Sequence, residues 1–209
     1  MNNSPERTKK KVAIIGTVGV PARYGGFETL AHHLVVELAN KVDMTVYCSA
    51  KSYAKPERKA TYKGARLVYV PLRANGISSV FYDILSMIHA MIFSEVLIIL
   101  GVSGCLFLPF VRLFSNRKVI VNVDGLEWRR AKWNSWAKRF LIWSERMAIA
   151  LSDEVITDNE AIRKYVFDRY GRDSRLIEYG ADHTRRAPRE RALVALSLRG
   201  QLHPAHGAR

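Results

Sequence analysis

The chain has 209 residues, enough for one α/β domain with a hydrophobic core but hardly enough for two. Hydrophobic residues make up 48% of it, a fraction typical of a globular protein and too high for a chain that is disordered throughout. The formal net charge of +14 points to an anionic partner: a nucleic acid, an anionic lipid or a phosphorylated substrate.

The first predicted elements are a strand and a helix joined by a glycine-rich loop. Residues 12–15 have the length and the Val/Ile content of a buried strand, and apolar residues recur at helical spacing over 27–38. Four glycines lie between them: Gly16, Gly19, Gly25 and Gly26. Glycines let a backbone approach a phosphate, and the helix N-terminus behind them offers unpaired N–H groups. The spacing is neither G-x-G-x-x-G nor a Walker loop, and a simple connecting turn is the alternative.

Strands and helices alternate through the rest of the chain. The predicted strands are 44–49, 65–70, 96–100, 118–123, 154–157 and 175–178. The predicted helices are 77–93, 106–114, 133–151 and 160–170, and 50–63 is predicted to be a mobile polar loop. This alternation predicts an α/β fold with a Rossmann-like, doubly wound parallel sheet.

Three segments directly follow predicted strands and are expected to share one rim of the sheet. They are the glycine loop, Ser103 with Gly104, and the segment 124–127. Parallel strands end at the same edge, and ligands of such sheets bind outside their carboxyl ends. The sequence therefore predicts one ligand site at this rim.

Four segments resemble bacterial rhamnosyltransferase-like enzymes, which belong to the family 4 glycosyltransferases with two-domain GT-B architecture. They are VGVPARYGGFET at 18–29, LIILGVSG at 97–104, VNVDGLEWRRAKW at 121–133 and YGADH at 179–183. The resemblance implies that residues 11–183 form the N-terminal, acceptor-side domain of a GT-B enzyme. Residues 1–10 are then a basic extension and residues 184–209 a basic tail.

The implied reaction transfers a sugar, with rhamnose as the first candidate, from a nucleotide-diphosphate donor to a lipid-linked saccharide in cell-surface polysaccharide biosynthesis. The resemblance places Gly25 and Gly26 at the donor diphosphate. Arg23 and Tyr24 are predicted to contact substrate, since arginine suits bidentate contact with phosphate. The other predicted substrate-binding residues are Glu28, Ser103, Gly104, Gly125 and Glu127. No cofactor is expected, and no His, Cys or carboxylate cluster has the spacing of metal ligands.

Asp124 is the predicted catalytic residue. It follows a strand and precedes Gly125, a placement common for catalytic carboxylates and equally common for turns and helix caps. By the resemblance, Asp124 orients or activates the acceptor hydroxyl, which must lose a proton as the glycosidic bond forms, or holds the transferring sugar. Glu127 is the rival carboxylate.

The segment 128–133 interleaves aromatic and cationic residues: Trp128, Arg129, Arg130, Lys132 and Trp133. Tryptophan prefers the headgroup layer of a bilayer and Lys/Arg prefer anionic lipid, so this segment is predicted to contact a membrane surface. Nucleic-acid binding is one alternative. The other is a solvated helix face with its tryptophans, including Trp136 and Trp143, in the core.

The last residues depart from the family pattern. From 184 onward there are six arginines, one glutamate and no lysine, which predicts a disordered basic tail in place of a donor-binding domain. We therefore expect the isolated chain to fold without catalysing transfer. The alternatives are a non-catalytic acceptor- or membrane-binding module and, on charge alone, a nucleic-acid-binding protein.

The predicted location is cytoplasmic, with peripheral contact at the cytoplasmic face of the inner membrane. No secretory-type apolar segment opens the chain, and Cys48 and Cys105 are expected to be reduced core residues. The segment 96–111 is uncharged but shorter than the roughly 20 residues that span a bilayer. Because 77–93 and 105–114 are strongly apolar, monotopic membrane contact stays open.

Overall fold

The computed structural model describes residues 9–23, 25–131 and 133–179. By its internal contacts the chain divides into two units, 1–178 and 179–209, and the first carries the fold described below. The predicted domain limits at 10/11 and 183/184 stay predictions. Tyr24, Lys132 and the predicted basic tail lie outside the described residues.

The described residues form eight strands and five helices. The strands are β1 (Lys11–Ile15), β2 (Asp43–Ser49), β3 (Thr61–Tyr62), β4 (Ala65–Val70), β5 (Val96–Leu100), β6 (Lys118–Val123), β7 (Glu154–Thr157) and β8 (Arg175–Leu176). The helices are α1 (Gly26–Leu38), α2 (Ser78–Phe93), α3 (Leu108–Phe114), α4 (Ser135–Leu151) and α5 (Glu160–Tyr170). Short 3₁₀ turns occupy Lys55–Glu57, Cys105–Phe107 and Glu127–Arg129.

The eight strands form one sheet in the order β3-β4-β2-β1-β5-β6-β7-β8. Neighbouring strands are parallel except for β3, which runs antiparallel to β4. This arrangement confirms the predicted α/β class and the Rossmann-like, doubly wound sheet. The apolar strand β5 lies near the centre between β1 and β6, where strands are buried on both faces.

Several element boundaries differ from the sequence-based prediction; for example, β8 ends at Leu176 rather than at 178, and α3 starts at Leu108 rather than at 106. The segment 50–63 contains a 3₁₀ turn and the strand β3, because Lys63 and Gly64 adopt positive φ angles of 48° and 90° and turn β3 back onto β4. Helix α4 starts at Ser135 rather than at 133. Asn134 caps this helix, since its side chain accepts a hydrogen bond from the Ala137 N–H at 2.9 Å.

The sheet separates two hydrophobic layers. Ala13 and Ile15 pack in the layer that contains side chains of α2, α3, α4 and α5, whereas Ile14 packs in the layer that contains α1. Of the described helices, α1 alone lies on the second face. Ile120 and Ile156 are on the α1 side of β6 and β7, and they are only partly buried. The described helices thus cover the two faces unequally, although the sequence led us to expect cover on both.

Both cysteines are free and buried, as predicted. Within the described ranges, no helix combines the length and the apolar character needed to cross a membrane.

Candidate functional site

The carboxyl ends of β1 and β5 form the point at which the strand order reverses. From β1 the chain proceeds to β2 and β4 on one side, and it then crosses to β5 on the other. Gly16 and Gly101 follow these two strands with φ angles of 89° and 86°. A Cβ at Gly16 would overlap the Leu100 carbonyl oxygen, so glycine is required for the close approach of the two strand ends. Open α/β sheets bind their ligands in this crevice.

A cavity of about 1020 Å³ opens at this point. Its walls come from the ends of β1, β5 and β6 and from the beginnings of α1, α2 and α4. Small-molecule sites commonly have volumes of about 300–1,000 Å³, so this cavity can hold a ligand as large as a sugar nucleotide or an oligosaccharide.

The structure brings together most of the residues that the sequence analysis placed at the rim. The predicted site residues that line the cavity are Gly26, Glu28, Ser103, Asp124, Gly125 and Glu127. Gly25 and Gly104 are adjacent to lining residues without lining the cavity themselves. These residues thus lie at one cavity, while its use as a ligand site and the role of each residue in binding or catalysis stay predictions.

The glycine loop uses some of its own N–H groups within the protein. The Val18 N–H donates to Glu28 Oε1 at 3.0 Å, and the Gly19 N–H donates to Thr17 Oγ1 at 3.2 Å. These two donors are therefore engaged and are not directed at a ligand. Glu28 is buried, and its carboxylate stabilises the loop by accepting the hydrogen bond from Val18.

Gly25 and Gly26 differ in what they require. Gly25 has a φ of 125°, and a Cβ there would overlap the Glu28 carboxylate. Gly26 opens α1, and no described atom lies within 4 Å of the position that its Cβ would take. No side chain in the described part of the chain caps α1, and its first-turn residues Gly26, Phe27 and Glu28 line the cavity. Glycine at position 25 is thus required by the backbone conformation, whereas glycine at position 26 leaves open space at the cavity.

The Arg23 side chain contacts the segment that precedes β3 and does not reach the cavity. Its Nη2 lies 2.7 Å from Glu57 Oε1, and its Nη1 donates to the Ser52 carbonyl oxygen at 3.1 Å. Its guanidinium carbon lies 4.8 Å from the centre of the Tyr53 ring. Arg23 does not line the cavity, and a contact with phosphate would require these interactions to break.

Asp124 and Glu127 have different surroundings. Glu127 Oε2 lies 2.8 Å from Arg130 Nε, and Glu127 Oε1 accepts a hydrogen bond from Trp133 Nε1 at 3.3 Å. Asp124 is exposed on the cavity wall. Its pKa is raised by partial loss of solvation within the cleft, then by the Asp158 carboxylate and more weakly by that of Glu127. Asp124 is therefore the better placed of the two carboxylates to accept a proton.

Asp83 is a cavity-lining carboxylate that the sequence analysis missed. It lies on α2, is 3% exposed, and accepts hydrogen bonds from the Ser103 hydroxyl and the Gly104 N–H. Burial raises its pKa to about 7, although these hydrogen bonds oppose the rise. A signal was available, because Asp83 is the only acidic residue in the apolar segment 77–93.

Described residues of the aromatic and basic segment 128–133 lie at the cavity edge and beside Arg169. The guanidinium carbons of Arg129 and Arg169 lie 5.2 Å and 5.3 Å from the Trp128 ring centre. Arg130 and Trp133 line the cavity. Contact of this segment with a membrane stays a prediction.

Two tryptophans of α4 are exposed instead. Trp136 is 78% exposed and Trp143 is 58% exposed. The alternative that put the tryptophans of this region in the core is therefore wrong for these two residues.

The part of the chain that the structure describes contains no group of three or more His, Cys, Asp or Glu side chains arranged to hold a metal ion. The expectation that the site uses no cofactor stays a prediction.

A doubly wound sheet with a large cavity at its switch point defines a Rossmann-like domain. The chain belongs to the family described as "Domain of unknown function (DUF1972)", which matches residues 9–182. A comparison with curated protein sequences gives no match.

Solved structures show the same fold at low sequence identity. Sucrose-phosphate synthase from Thermosynechococcus elongatus is 14% identical with a TM-score of 0.65, over 95% of this chain and 54% of that one. UGT89C1 from Arabidopsis thaliana in complex with UDP is 11% identical with a TM-score of 0.52, over 92% of this chain and 57% of that one. The chain shares the Rossmann-like fold of these two proteins and spans about half the length of each.

Proposed function

We propose that this chain is the acceptor-side half of a GT-B glycosyltransferase. The proposed reaction transfers a sugar from a nucleotide-diphosphate donor to a hydroxyl of a lipid-linked saccharide. The observation that supports it most is the cavity at the strand ends, because Gly26, Ser103 and Asp124 line it together. The fold likeness to sucrose-phosphate synthase and UGT89C1 supports the architecture and leaves the choice of substrates open.

The chemistry requires two charge changes that this cavity can assist. The acceptor oxygen loses its proton as it bonds to the anomeric carbon, and the bond from that carbon to the nucleotide diphosphate breaks. Asp124 would accept the proton, directly or through water. The first-turn N–H groups of α1 and its partial positive charge would stabilise the diphosphate as it leaves.

Asp83 and Ser103 supply polar groups to the same cavity. A sugar carries several hydroxyls, each of which donates and accepts hydrogen bonds, and a site for it needs a few fixed polar partners. The hydrogen bond from Ser103 to Asp83 and the burial of Asp83 hold both groups in place. We assign them to orienting a sugar of the donor or the acceptor.

Rhamnose is the first sugar to test. The sequence resemblance at 18–29 suggests it, and the remaining contacts to the nucleotide would come from a second Rossmann-like half. This division of labour is part of the proposal, because the chain covers only about half of sucrose-phosphate synthase and of UGT89C1.

The variant Gly26→Val tests the proposal. It adds three carbon atoms at a position with no described atom within 4 Å, so the fold should survive while the ligand space is blocked. Ligand-observed NMR on the purified chain, with UDP-L-rhamnose and with short saccharides, should show binding by the wild type and a loss of about tenfold or more in the variant.

A matched control is Ala161→Val, which makes a similar addition at an exposed first-turn position of α5, away from the cavity. It should bind like the wild type and melt at a similar temperature. Equal binding by the wild type and the Gly26 variant, or no binding of any nucleotide sugar or saccharide, would contradict the proposal.

A further inference from the structure

Helix α2 exposes an apolar stripe on the side away from the core. Phe81, Leu85, Ile88 and Ile92 are 59%, 45%, 42% and 66% exposed, and their spacing of three or four residues puts them on one face. Ile77, directly before the helix, is 76% exposed. The opposite face packs against the sheet through Tyr82, Met87 and Ala90. Such a stripe marks a surface that contacts something apolar.

The neighbouring helices extend this stripe into a patch. Helix α3 contacts both α2 and α4, so the three helices lie side by side. On α3, Phe110, Leu113 and Phe114 are 53%, 74% and 70% exposed. On α4, Trp136 and Trp143 are both exposed and lie seven residues apart, on one helix face. We call these exposed apolar side chains of 77–143 the α2–α4 patch.

The exposed charged side chains of α2, α3 and α4 are all cationic. The guanidinium carbon of Arg139 lies 5.7 Å from the Trp136 ring centre, and that of Arg146 lies 5.9 Å from the Trp143 ring centre. Both arginines are exposed. The helices α2, α3 and α4 are described in full and contain only two carboxylates, Asp83 and Glu145, which are both buried. No carboxylate of these helices therefore opposes an anionic surface.

The patch continues into the cavity mouth. Ile77, Phe81 and Trp136 belong to the patch and also line the cavity. A ligand whose apolar portion lies against the patch could therefore place its polar portion in the cavity.

We propose that the α2–α4 patch docks onto an anionic lipid bilayer, with the cavity mouth at the headgroup layer. Apolar side chains of α2 and α3 would enter the boundary between headgroups and acyl chains, as interfacial helices do. Trp136 and Trp143 would lie at headgroup depth with Arg139 and Arg146 beside lipid phosphates. The orientation of the cavity rests on the proposed function, in which the acceptor saccharide is attached to a lipid.

Vesicle flotation of the full 209-residue chain tests the docking surface. We expect binding to vesicles of equal parts phosphatidylcholine and phosphatidylglycerol, and much weaker binding to phosphatidylcholine alone. Added salt should weaken the binding without abolishing it, because the apolar part of the contact is not screened.

Two sets of variants separate the apolar and the cationic contributions. The pair Ile88→Ser and Ile92→Ser lies on the exposed face of α2 outside the cavity lining, and it should reduce partitioning into mixed vesicles about tenfold or more. The pair Arg139→Glu and Arg146→Glu should remove the preference for phosphatidylglycerol. The matched control pair is Val36→Ser and Phe167→Ser, which changes exposed apolar residues on α1 and α5 and should float like the wild type.

Three outcomes would overturn the docking surface. They are equal flotation of the patch and control pairs, binding that ignores phosphatidylglycerol, and a dimer in analytical ultracentrifugation that only the patch variants dissociate. Failure of the proposed function is distinguishable, because flotation needs no sugar ligand. A chain that floats as expected but binds no nucleotide sugar or saccharide keeps the docking surface and loses the proposed function.

Discussion

Two carboxylates at the cavity, Asp83 and Asp124, lie in different surroundings. Asp83 is buried and held by hydrogen bonds from Ser103 and Gly104. Asp124 is exposed on the cavity wall, and of the neighbouring carboxylates Asp158 raises its pKa most. Burial suits a group that orients a ligand, and access to the cavity suits one that accepts a proton. The two residues therefore require different tests.

The replacement Asp124→Asn keeps the size of the side chain and removes its ability to take a proton. In the chain joined to a donor-binding half, we expect the transfer rate to fall about 10²-fold or more with little change in melting temperature. Activity of the wild type should decline as the pH falls through the raised pKa of Asp124, and the variant should lack this decline.

The control for Asp124 is Glu127→Gln, which changes the rival carboxylate at the same rim. Because Arg130 and Trp133 already engage Glu127, its loss should affect the rate less. A larger rate loss in Glu127→Gln would transfer the role of base to Glu127. A large drop in melting temperature with normal specific activity for Asp124→Asn would assign Asp124 to the turn instead.

Asp83 should make stability depend on pH. Its pKa is about 7 in the folded chain against an ordinary value of 3.8, so the folded state holds a proton that the unfolded state releases. The contribution of Asp83 to the free energy of unfolding is fully present below about pH 4 and is lost as the pH rises through about 7. The loss is on the order of a few kcal/mol. Urea unfolding from about pH 4 to pH 8 should therefore show a steeper decline for the wild type than for Asp83→Asn, which keeps the acceptor for Ser103. Parallel curves would show that Asp83 does not titrate in this range.

At the scale of elements, the sequence predicts the strands of the sheet centre better than its edge. β1, β5 and β6 are rich in Val, Ile and Leu, a composition that predicts buried parallel strands. β3 has two residues, and its pairing with β4 depends on the turn at Lys63 and Gly64 rather than on an apolar pattern. Short edge strands of this kind arise from tertiary geometry and leave little signal in the sequence.

The residues of the candidate site likewise divide into those that the sequence could locate and those that only tertiary packing brings to the cavity. Gly26, Ser103 and Asp124 could be placed from sequence because strand ends of a parallel sheet share one edge. Asp83 is in the middle of a helix, and only the packing of α2 beside Gly104 brings it to the cavity. The ion pair between Arg23 and Glu57 joins residues from two loops, so the sequence alone could not show where the Arg23 side chain is directed.

Helix α2 illustrates what periodicity cannot decide. The segment 77–93 is apolar on several sides, and its pattern alone is compatible with a fully buried helix. The structure buries one side and leaves Phe81, Leu85, Ile88 and Ile92 exposed. From sequence, membrane contact was predicted at 128–133 and left open for 77–93 and 105–114. The exposed apolar side chains of the α2–α4 patch lie on the latter two segments and on α4, while contact at 128–133 stays a prediction.

At the scale of the whole molecule, the cavity and the α2–α4 patch are continuous. The cavity lies at the switch point of the sheet, and its mouth shares Ile77, Phe81 and Trp136 with the α2–α4 patch. The net charge of +14 gives the chain a long-range attraction to anionic lipid, which favours encounter with a membrane at low salt. A glycosyltransferase half that docks in this way would meet its lipid-linked acceptor at the bilayer surface.

The most direct test of the central claim, that the switch-point cavity binds the reacting sugars, is an amide-resolved NMR titration of the ¹⁵N-labelled chain. With UDP-L-rhamnose and with short saccharides, we predict saturable shifts at Gly26, Ser103 and Gly125, and no shifts on α5. Saturable shifts confined to other parts of the sheet, or none with any nucleotide sugar or saccharide, would contradict the account.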